Sequence, residues 1–202
     1  MTLTLEEAVI QLSDKASAKR RSAARRLHQL AEEAAGPALL HALRREIGDR
    51  RTWETQYEMV MALGACGYRS AVGFLTELAQ RPTDDTALHI ALGNSIMRLR
   101  SPHEGFGAPL RWCLDHGDPS LLDGALRAVA ESRAALDAET VDRVLDVLDP
   151  LNPYDGLRFW AAVAAAEWPG DRVRTFLESC AAGPRKDVAD AAATSLERRY
   201  QG

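Results

Sequence analysis

The chain has 202 residues, of which 46% are hydrophobic and 27% are charged, and its formal net charge is −4. This composition is typical of a folded chain and excludes wholesale disorder, while the acidic excess argues against a dedicated nucleic-acid binder, which usually carries a basic excess. The first residues lack the pattern of a signal peptide, and no apolar run approaches the roughly 18 residues that span a bilayer. We therefore expect a cytoplasmic protein.

Residues that commonly cap helices recur at a nearly constant interval along the chain. They are Asp14, Asp49, Asp84, Asp118, Asn152 and Asp187. The successive steps are 35, 35, 34, 34 and 35 residues. A period in this range is typical of repeat arrays, in which each unit is a helical hairpin that buries its apolar face against its neighbours.

The period divides the chain into five units and a closing helix, which we interpret as one elongated domain. The units are 14–48, 49–83, 84–117, 118–151 and 152–186, and the closing unit is 187–200. Each unit is predicted to open with an amphipathic first helix, because the residues 4, 8, 11 and 12 positions after each cap are mostly apolar and share one helix face. Two caps precede prolines, Pro119 and Pro153, a residue favoured at the first helical position. Ser17 and Thr52 are alternatives to Asp14 and Asp49 as caps.

Each unit is then predicted to turn into a shorter second helix. The predicted second helices are Pro37 to Ile47, Ser70 to Gln80, Phe106 to Asp115, Ala138 to Leu148 and Asp171 to Ala181. The last predicted helix, Lys186 to Tyr200, has no second helix and would close the array. The second-helix leucines should face inward and hold the stack: Leu40, Leu43, Leu75, Leu110, Leu145 and Leu177.

The second unit carries a family resemblance. Residues 62–78, ALGACGYRSAVGFLTEL, resemble the ALGxxGxxxAVxxLxxxL core of a HEAT repeat, especially the bacterial, bilin-lyase-like kind. We expect Gly64 and Gly67 to allow the turn between the two helices. The tetratricopeptide repeat has a similar period and ranks second, because the spacing from Gly64 to Ala71 is too short for it. The resemblance implies a right-handed α-solenoid of about five HEAT-like helical hairpins.

No motif for chemistry stands out. The five histidines form no metal-binding spacing, and nucleophile elbows and phosphate-binding glycine loops are missing, so we expect neither an enzyme nor a bound cofactor or metal. The three cysteines, Cys66, Cys113 and Cys180, lie far apart and are expected to be buried and reduced.

The tryptophans divide into packing and binding candidates. Trp53 and Trp160 occupy apolar first-helix positions and are predicted to pack, whereas Trp168 could do either. Trp112 lies beside charged residues, on the open side of its helix, which is typical of a binding anchor. Trp112 and Asp115 also resemble the aromatic and acidic residues that HEAT-like alkylpurine DNA glycosylases use to hold damaged DNA.

Charge is segregated along the chain. Residues 15–51 contain ten basic and four acidic side chains, so their balance is 10 − 4 = +6. Residues 137–155 contain one basic and six acidic side chains, a balance of 1 − 6 = −5. Asp142, Asp146 and Asp149 share one face of a predicted helix, where like charges repel. This acidic stripe indicates a cationic partner.

The resemblance implies that the second helices line the concave side. The predicted binding ridge is His41, Arg44, Arg45, Glu77, Arg111, Trp112, Asp115, Asp142, Arg143 and Asp146. We expect a non-enzymatic module that binds a protein partner there, with an inhibitor or immunity-type protein as the sharper form. One alternative is a DNA-binding or glycosylase-like protein that grips phosphates through Arg20, Arg21, Arg25, Arg26, Arg44 and Arg45. The other is a bilin-lyase-like subunit.

Overall fold

A computed structural model describes residues 3–81 and 85–201. Within these ranges the chain is all-α, with twelve α-helices and no strand. The helices are α1 Leu5–Gln11, α2 Ser17–Leu30, α3 Gly36–Glu46, α4 Trp53–Ala65, α5 Val72–Ala79, α6 Thr86–Glu104, α7 Gly107–His116, α8 Pro119–Glu131, α9 Ala138–Leu148, α10 Arg158–Ala164, α11 Asp171–Ala181 and α12 Lys186–Gln201. Short 3₁₀ turns lead into α3, α4 and α5.

The helices alternate between two sets. The first helices α2, α4, α6, α8, α10 and α12 contact one another in that order. The second helices lie beside them: α3 contacts α4, α5 contacts α6, and α7 contacts both α6 and α8. Farther along, α9 contacts α7 and α11, and α11 contacts α12. Most of these contacts therefore join helices that lie one or two places apart in the chain.

The predicted second helices are confirmed. Two of them, α9 and α11, have the predicted ends, and the other three differ from the prediction by one or two residues at an end. The leucines predicted to face inward are all buried. The three cysteines are buried and free, as expected.

The predicted caps are only partly confirmed. Asp118 caps α8 as predicted, because its side chain accepts a hydrogen bond from the Leu121 amide at 2.8 Å and Pro119 follows it. Asp84 lies outside the described residues, and Asp85 caps α6. Asp14 does not cap α2: the residue at that position is Ala16, whose amide donates to Asp14. The period therefore did not identify the capping residue of every helix.

The fifth unit corrects the prediction most clearly. Asn152 and Pro153 do not start a helix; Asn152 accepts a hydrogen bond from the Tyr154 amide at 2.9 Å and forms a local turn. The first helix of this unit, α10, begins six residues later at Arg158. Asp187 is likewise not a cap, because it lies inside the first turn of α12. Asn and Asp side chains favour such turns as well as helix caps.

An additional helix, α1, precedes the first predicted unit. Thr4 and Glu7 form a capping box, in which each side chain accepts a hydrogen bond from the backbone amide of the other residue. The spacing of these two residues is a sequence signature of a helix start. The helix packs on α2.

The first helices approach each other very closely at three glycines. A Cβ added to Gly93 of α6 would lie 2.0 Å from the carbonyl oxygen of Leu121 in α8, and one added to Gly124 of α8 would lie 1.9 Å from the Ile90 oxygen in α6. Gly64 is similar: it lies within α4 against Ser95 of α6, so its role is close helix packing rather than the predicted turn. Gly67, with φ +68°, makes the turn.

Trp53 corrects a packing prediction. Its side chain lies at the start of α4 and is 45% exposed, although the residues at the equivalent position of the following units are apolar. Trp160 is half-buried and contacts the core, and Trp168 is buried. Trp53 borders a cleft of about 690 Å³ whose apolar lining includes Ile47 and Leu78.

Candidate functional site

The ten residues of the predicted ridge lie on four second helices, α3, α5, α7 and α9. We call the side of these helices that bears them the second-helix surface. Seven of the ten side chains are exposed, and Arg111, Trp112 and Arg143 are half-buried. The ridge itself stays a prediction, since the structure gives the helix and the exposure of each residue but not a partner.

Several of these residues contact other side chains of the same chain. Between α7 and α9, Arg111 donates a hydrogen bond to the Thr140 hydroxyl at 2.5 Å, and Arg143 forms an ion pair with Asp115. Trp112 is half-buried on the core, and the guanidinium of Arg100 lies 6.0 Å from its ring centroid. Trp112 is thus less open than an exposed anchor would be.

The acidic stripe forms ion pairs with an arginine of the same chain. Arg172 of α11 contacts Asp142 at 3.3 Å, Asp146 at 2.7 Å and Asp149 at 2.8 Å. Hydrogen bonds from Arg172 to these carboxylates raise its pKa above the ordinary value. One guanidinium balances one of the three charges, so the group keeps a net charge of 1 − 3 = −2.

The basic end of the second-helix surface lies on α3. Arg44 sits over the Phe74 ring of α5, 5.2 Å from its centroid, and Arg45 is exposed. No carboxylate in the described parts of the chain forms a salt bridge with either guanidinium. The acidic residue of the same turn, Glu46, is buried and forms a bidentate pair with Arg20 at 2.6 and 2.7 Å.

The arginines of α2 have protein acceptors. Arg21 pairs with Glu54, Arg25 pairs with Glu58 at 2.6 Å, and Arg26 donates to the carbonyl oxygen of Leu3. Together with Arg20, four of the six arginines proposed to grip phosphates are therefore already engaged. This arrangement links α2 to its neighbours and does not favour a phosphate-binding role.

The first helices carry a second cluster, which sequence reasoning missed. Arg127 of α8 donates to Glu131 at 2.9 Å, and its guanidinium lies 5.5 Å from the ring centroid of Trp160 in α10. Arg98 of α6 pairs with the same Glu131 at 2.7 Å. The cluster thus joins three consecutive first helices through two arginines, one carboxylate and one indole.

Electrostatic effects extend this cluster to α2 and α4. Burial opposes the charge of Arg127, but its hydrogen bond to Glu131 and a smaller interaction with Tyr57 of α4 raise its pKa. Burial lowers the pKa of His28 in α2, and the charges of Glu58, Arg98, Arg127 and Glu131 act on the same ring. We call this group the convergent cluster: His28, Tyr57, Glu58, Arg98, Arg127, Glu131 and Trp160.

The carboxylate of Glu131 is ionised and fully engaged. Burial alone would raise the pKa of Glu131, but hydrogen bonds from Arg127 and Arg98 outweigh burial and hold it below the ordinary value. In contrast, burial raises the pKa of Asp123, which lies one turn before Arg127 on α8. Charge and aromatic surface are combined in this cluster, and two guanidinium groups hold the Glu131 carboxylate.

A spacing signal for these contacts is visible in the sequence. The ion pairs Arg25–Glu58 and Arg98–Glu131 both join residues 33 positions apart, close to the 34- to 35-residue period. Opposite charges at this separation lie on equivalent turns of adjacent first helices. The signal identifies the pairs, but it does not show that Tyr57 and Trp160 lie beside them.

The described residues contain no group of three or more histidine, cysteine, aspartate or glutamate side chains placed to hold a metal ion. None of the helices in this part of the chain has both the length and the apolar character needed to cross a membrane. No protein-family model matches the chain, and no curated protein matches it in sequence.

Proposed function

We propose that this chain is a non-enzymatic module that binds a protein partner on the surface of its first helices. In this proposal the hairpins form a right-handed solenoid of HEAT-like units closed by α12. A more specific version of this proposal is an inhibitor or immunity-type protein that covers an enzyme or toxin.

Helix spacing supports a concave side on the first helices. A row of helices bends toward the side on which its members are closest, and the glycine contacts bring the backbones of α4, α6 and α8 into contact on that side. We therefore assign the concave side to the first helices, opposite to the side that the family resemblance implies.

The convergent cluster is the single observation that carries the proposal. Tyrosine, tryptophan and arginine supply most of the binding energy in protein interfaces, especially where they are clustered and partly desolvated. Tyr57, Arg127 and Trp160 meet these conditions, since each is half-buried and they come from three different helices. Packing alone does not require two guanidinium groups on one carboxylate at this point.

A site-specific crosslinking experiment tests the proposal. A photoreactive phenylalanine derivative replaces Tyr57 in one variant and the exposed Val147 of α9 in a matched control. After irradiation in native cell extract, we expect one defined adduct from position 57 and none of that mass from position 147. An adduct from position 147 alone, or from neither position, would refute binding at the first helices.

A charge-reversal series gives the same test without a crosslinker. Arg127→Glu should abolish capture of the partner, because it places a second acid beside Glu131 and removes the guanidinium from Trp160. The control, Asp142→Lys with Asp146→Lys, changes the second-helix surface and should leave capture intact. If the control loses capture and Arg127→Glu retains it, the partner binds the predicted ridge instead.

A further inference from the structure

The two arginines of the convergent cluster use only part of their hydrogen-bonding capacity. Nε of Arg127 donates to Glu131 at 2.9 Å, but the two terminal nitrogens of this guanidinium donate to no carboxylate of the described residues. Arg98 donates from Nη2 to the same Glu131 at 2.7 Å and from Nε to Asn94 at 3.0 Å. Its Nη1 likewise donates to no carboxylate in that part of the chain. The three charged groups keep a balance of 2 − 1 = +1.

The other acid of α8 does not accept from these donors. Asp123 precedes Arg127 by one turn of the helix, whereas Glu131 follows it by one turn. The charge of Arg127 acts on Asp123, but no salt bridge joins the two among the residues that the structure describes. Asp155 and Arg185 of the fifth unit also act on Asp123. The unused donors of both arginines therefore stay available to a partner.

A cleft lies beside the cluster, between α10 and α12. It has a volume of about 340 Å³, and its lining includes Phe159, Val163, Ala191 and Thr194. The two aspartates that border it form salt bridges with basic residues of the same segment. The Arg127 guanidinium lies 5.5 Å from the Trp160 ring centroid, and that ring is 4.9 Å from the Phe159 ring, so the cleft begins within about 10 Å of the guanidinium. This distance corresponds to about three residues of an extended segment or about two turns of a helix.

The donors and the cleft together indicate the chemistry of the partner. A partner that covers the unused donors must supply acceptors, because a buried donor without an acceptor is costly. A carboxylate is the strongest acceptor for a guanidinium, since the hydrogen bonds are charge-assisted and can be bidentate. We propose that the partner places an aspartate or glutamate side chain against Arg98 and Arg127, and an apolar side chain in the cleft beside Phe159. This inference rests on the proposed function and names the chemistry of its partner.

Two neutral substitutions of one ion pair test the sign of the partner's charge. Glu131→Gln changes the local balance from +1 to +2, and Arg98→Gln changes it from +1 to 0. Both remove the Arg98–Glu131 ion pair, so a purely structural role would weaken capture of the partner in both variants. An acidic partner should bind Glu131→Gln about threefold more tightly than the wild type. It should bind Arg98→Gln about tenfold or more weakly, because a hydrogen bond between charged groups is lost.

The cleft is tested by a matched pair of substitutions. Thr194 of α12 and Thr175 of α11 are both exposed, and each hydroxyl donates to the carbonyl oxygen four residues earlier in its helix. Thr194→Gln places a longer polar side chain at the cleft and should weaken capture about tenfold, since the apolar side chain of the partner is displaced. Thr175→Gln is the control and should leave capture unchanged.

Capture is measured on the protein that crosslinks to position 57, as its retention from nuclease-treated extract over a range of concentrations of the immobilised chain. Circular dichroism confirms that each variant is folded. If position 57 gives no adduct, the proposed function and this inference both fail. If the adduct forms but Glu131→Gln does not strengthen capture, or Arg98→Gln does not weaken it, binding at the first helices stands and the acidic partner is overturned. An adduct that forms only in extract without nuclease assigns the donors to phosphate groups and also overturns it. Equal capture by Thr194→Gln and Thr175→Gln overturns the apolar contact.

Discussion

The crossing of α6 and α8 should be the point at which the array is least tolerant of added volume. Gly93→Ala adds one methyl group at this crossing. The new Cβ would lie 2.0 Å from the Leu121 carbonyl oxygen, whereas an ordinary contact begins at 3.4 Å. Because the obstructing atom belongs to the backbone, no rotamer change relieves the contact, and the helices must separate by about 3.4 − 2.0 = 1.4 Å.

The expected loss of stability follows from two opposing effects. Overpacking of a close-packed core costs about 1–3 kcal/mol, and a backbone clash belongs at the upper end of that range. Alanine is a better helix former than glycine by about 1 kcal/mol, which offsets part of the loss. We expect Gly93→Ala to lower the free energy of unfolding by about 2 kcal/mol. For a typical denaturant slope, this loss lowers the urea concentration at the unfolding midpoint by about 1 M.

Urea denaturation followed by far-ultraviolet circular dichroism measures this difference. The matched control is Gly73→Ala, because Gly73 is also helical but has no atom within 4 Å of an added Cβ. The control should be unchanged or stabilised by as much as about 1 kcal/mol, through helix propensity alone. If Gly93→Ala is as stable as Gly73→Ala, the backbones of α6 and α8 are not in close contact, and the inferred curvature loses its support.

Three other predictions concern buried and charged groups. Arg158→Met should lower the free energy of unfolding by about 2–3 kcal/mol in a urea titration. The reason is that the buried guanidinium donates to the carbonyl oxygens of Leu148, Asp149 and Leu151 at the end of α9. As a control, Arg172→Met removes an exposed guanidinium and should lower the free energy of unfolding by less than about 1 kcal/mol. Burial raises the pKa of the Cys113 thiol to about 12, so a thiol reagent at pH 8 should label it only after denaturation, and labelling of the native chain would contradict its burial.

The pKa of Asp118 gives a prediction for acid stability. Burial favours the neutral acid, but hydrogen bonds from the Leu121 amide and from His89 outweigh it and hold the pKa of Asp118 below its ordinary value of 3.8. The stabilisation that ionised Asp118 gives the folded chain is therefore complete above pH 3.8, and it is lost as the pH falls through the lower pKa of Asp118 in the folded state. Asp118→Asn should be less stable than the wild type at pH 7, and the difference should shrink in acid; a difference that does not depend on pH would refute this.

Local sequence signals predicted most of the helices. Turn and apolar patterns placed both ends of α9 and α11 correctly, because each helix is short, amphipathic and bounded by turn residues. The same signals failed at Asn152, where an Asn-Pro pair forms a turn rather than a cap. Side-chain capping depends on the backbone path into the helix, and that path is set by packing of the preceding unit.

The candidate sites were less predictable than the helices. The period did not show that Arg172 binds the acidic stripe, since this contact joins residues of different units. The apolar pattern also assigned Trp160 to packing, although its side chain is only half-buried. Residue type and period do not show how far a large side chain extends beyond the helix that carries it.

The sequence by itself determined that this chain is helical, where most of its helices lie, and which leucines hold them together; the predicted shorter second helix is wrong in the fifth unit, where α10 has 7 residues and α11 has 11. These properties depend on local propensity and on a periodicity that each segment carries alone. Only the tertiary structure decided which helices approach most closely and which charged groups meet. Gly93 and Gly124 let two backbones touch, and Arg127 meets Glu131 and Trp160 only when the helices are side by side. Such contacts depend on distances between helices, and a linear pattern of residue types does not specify those distances.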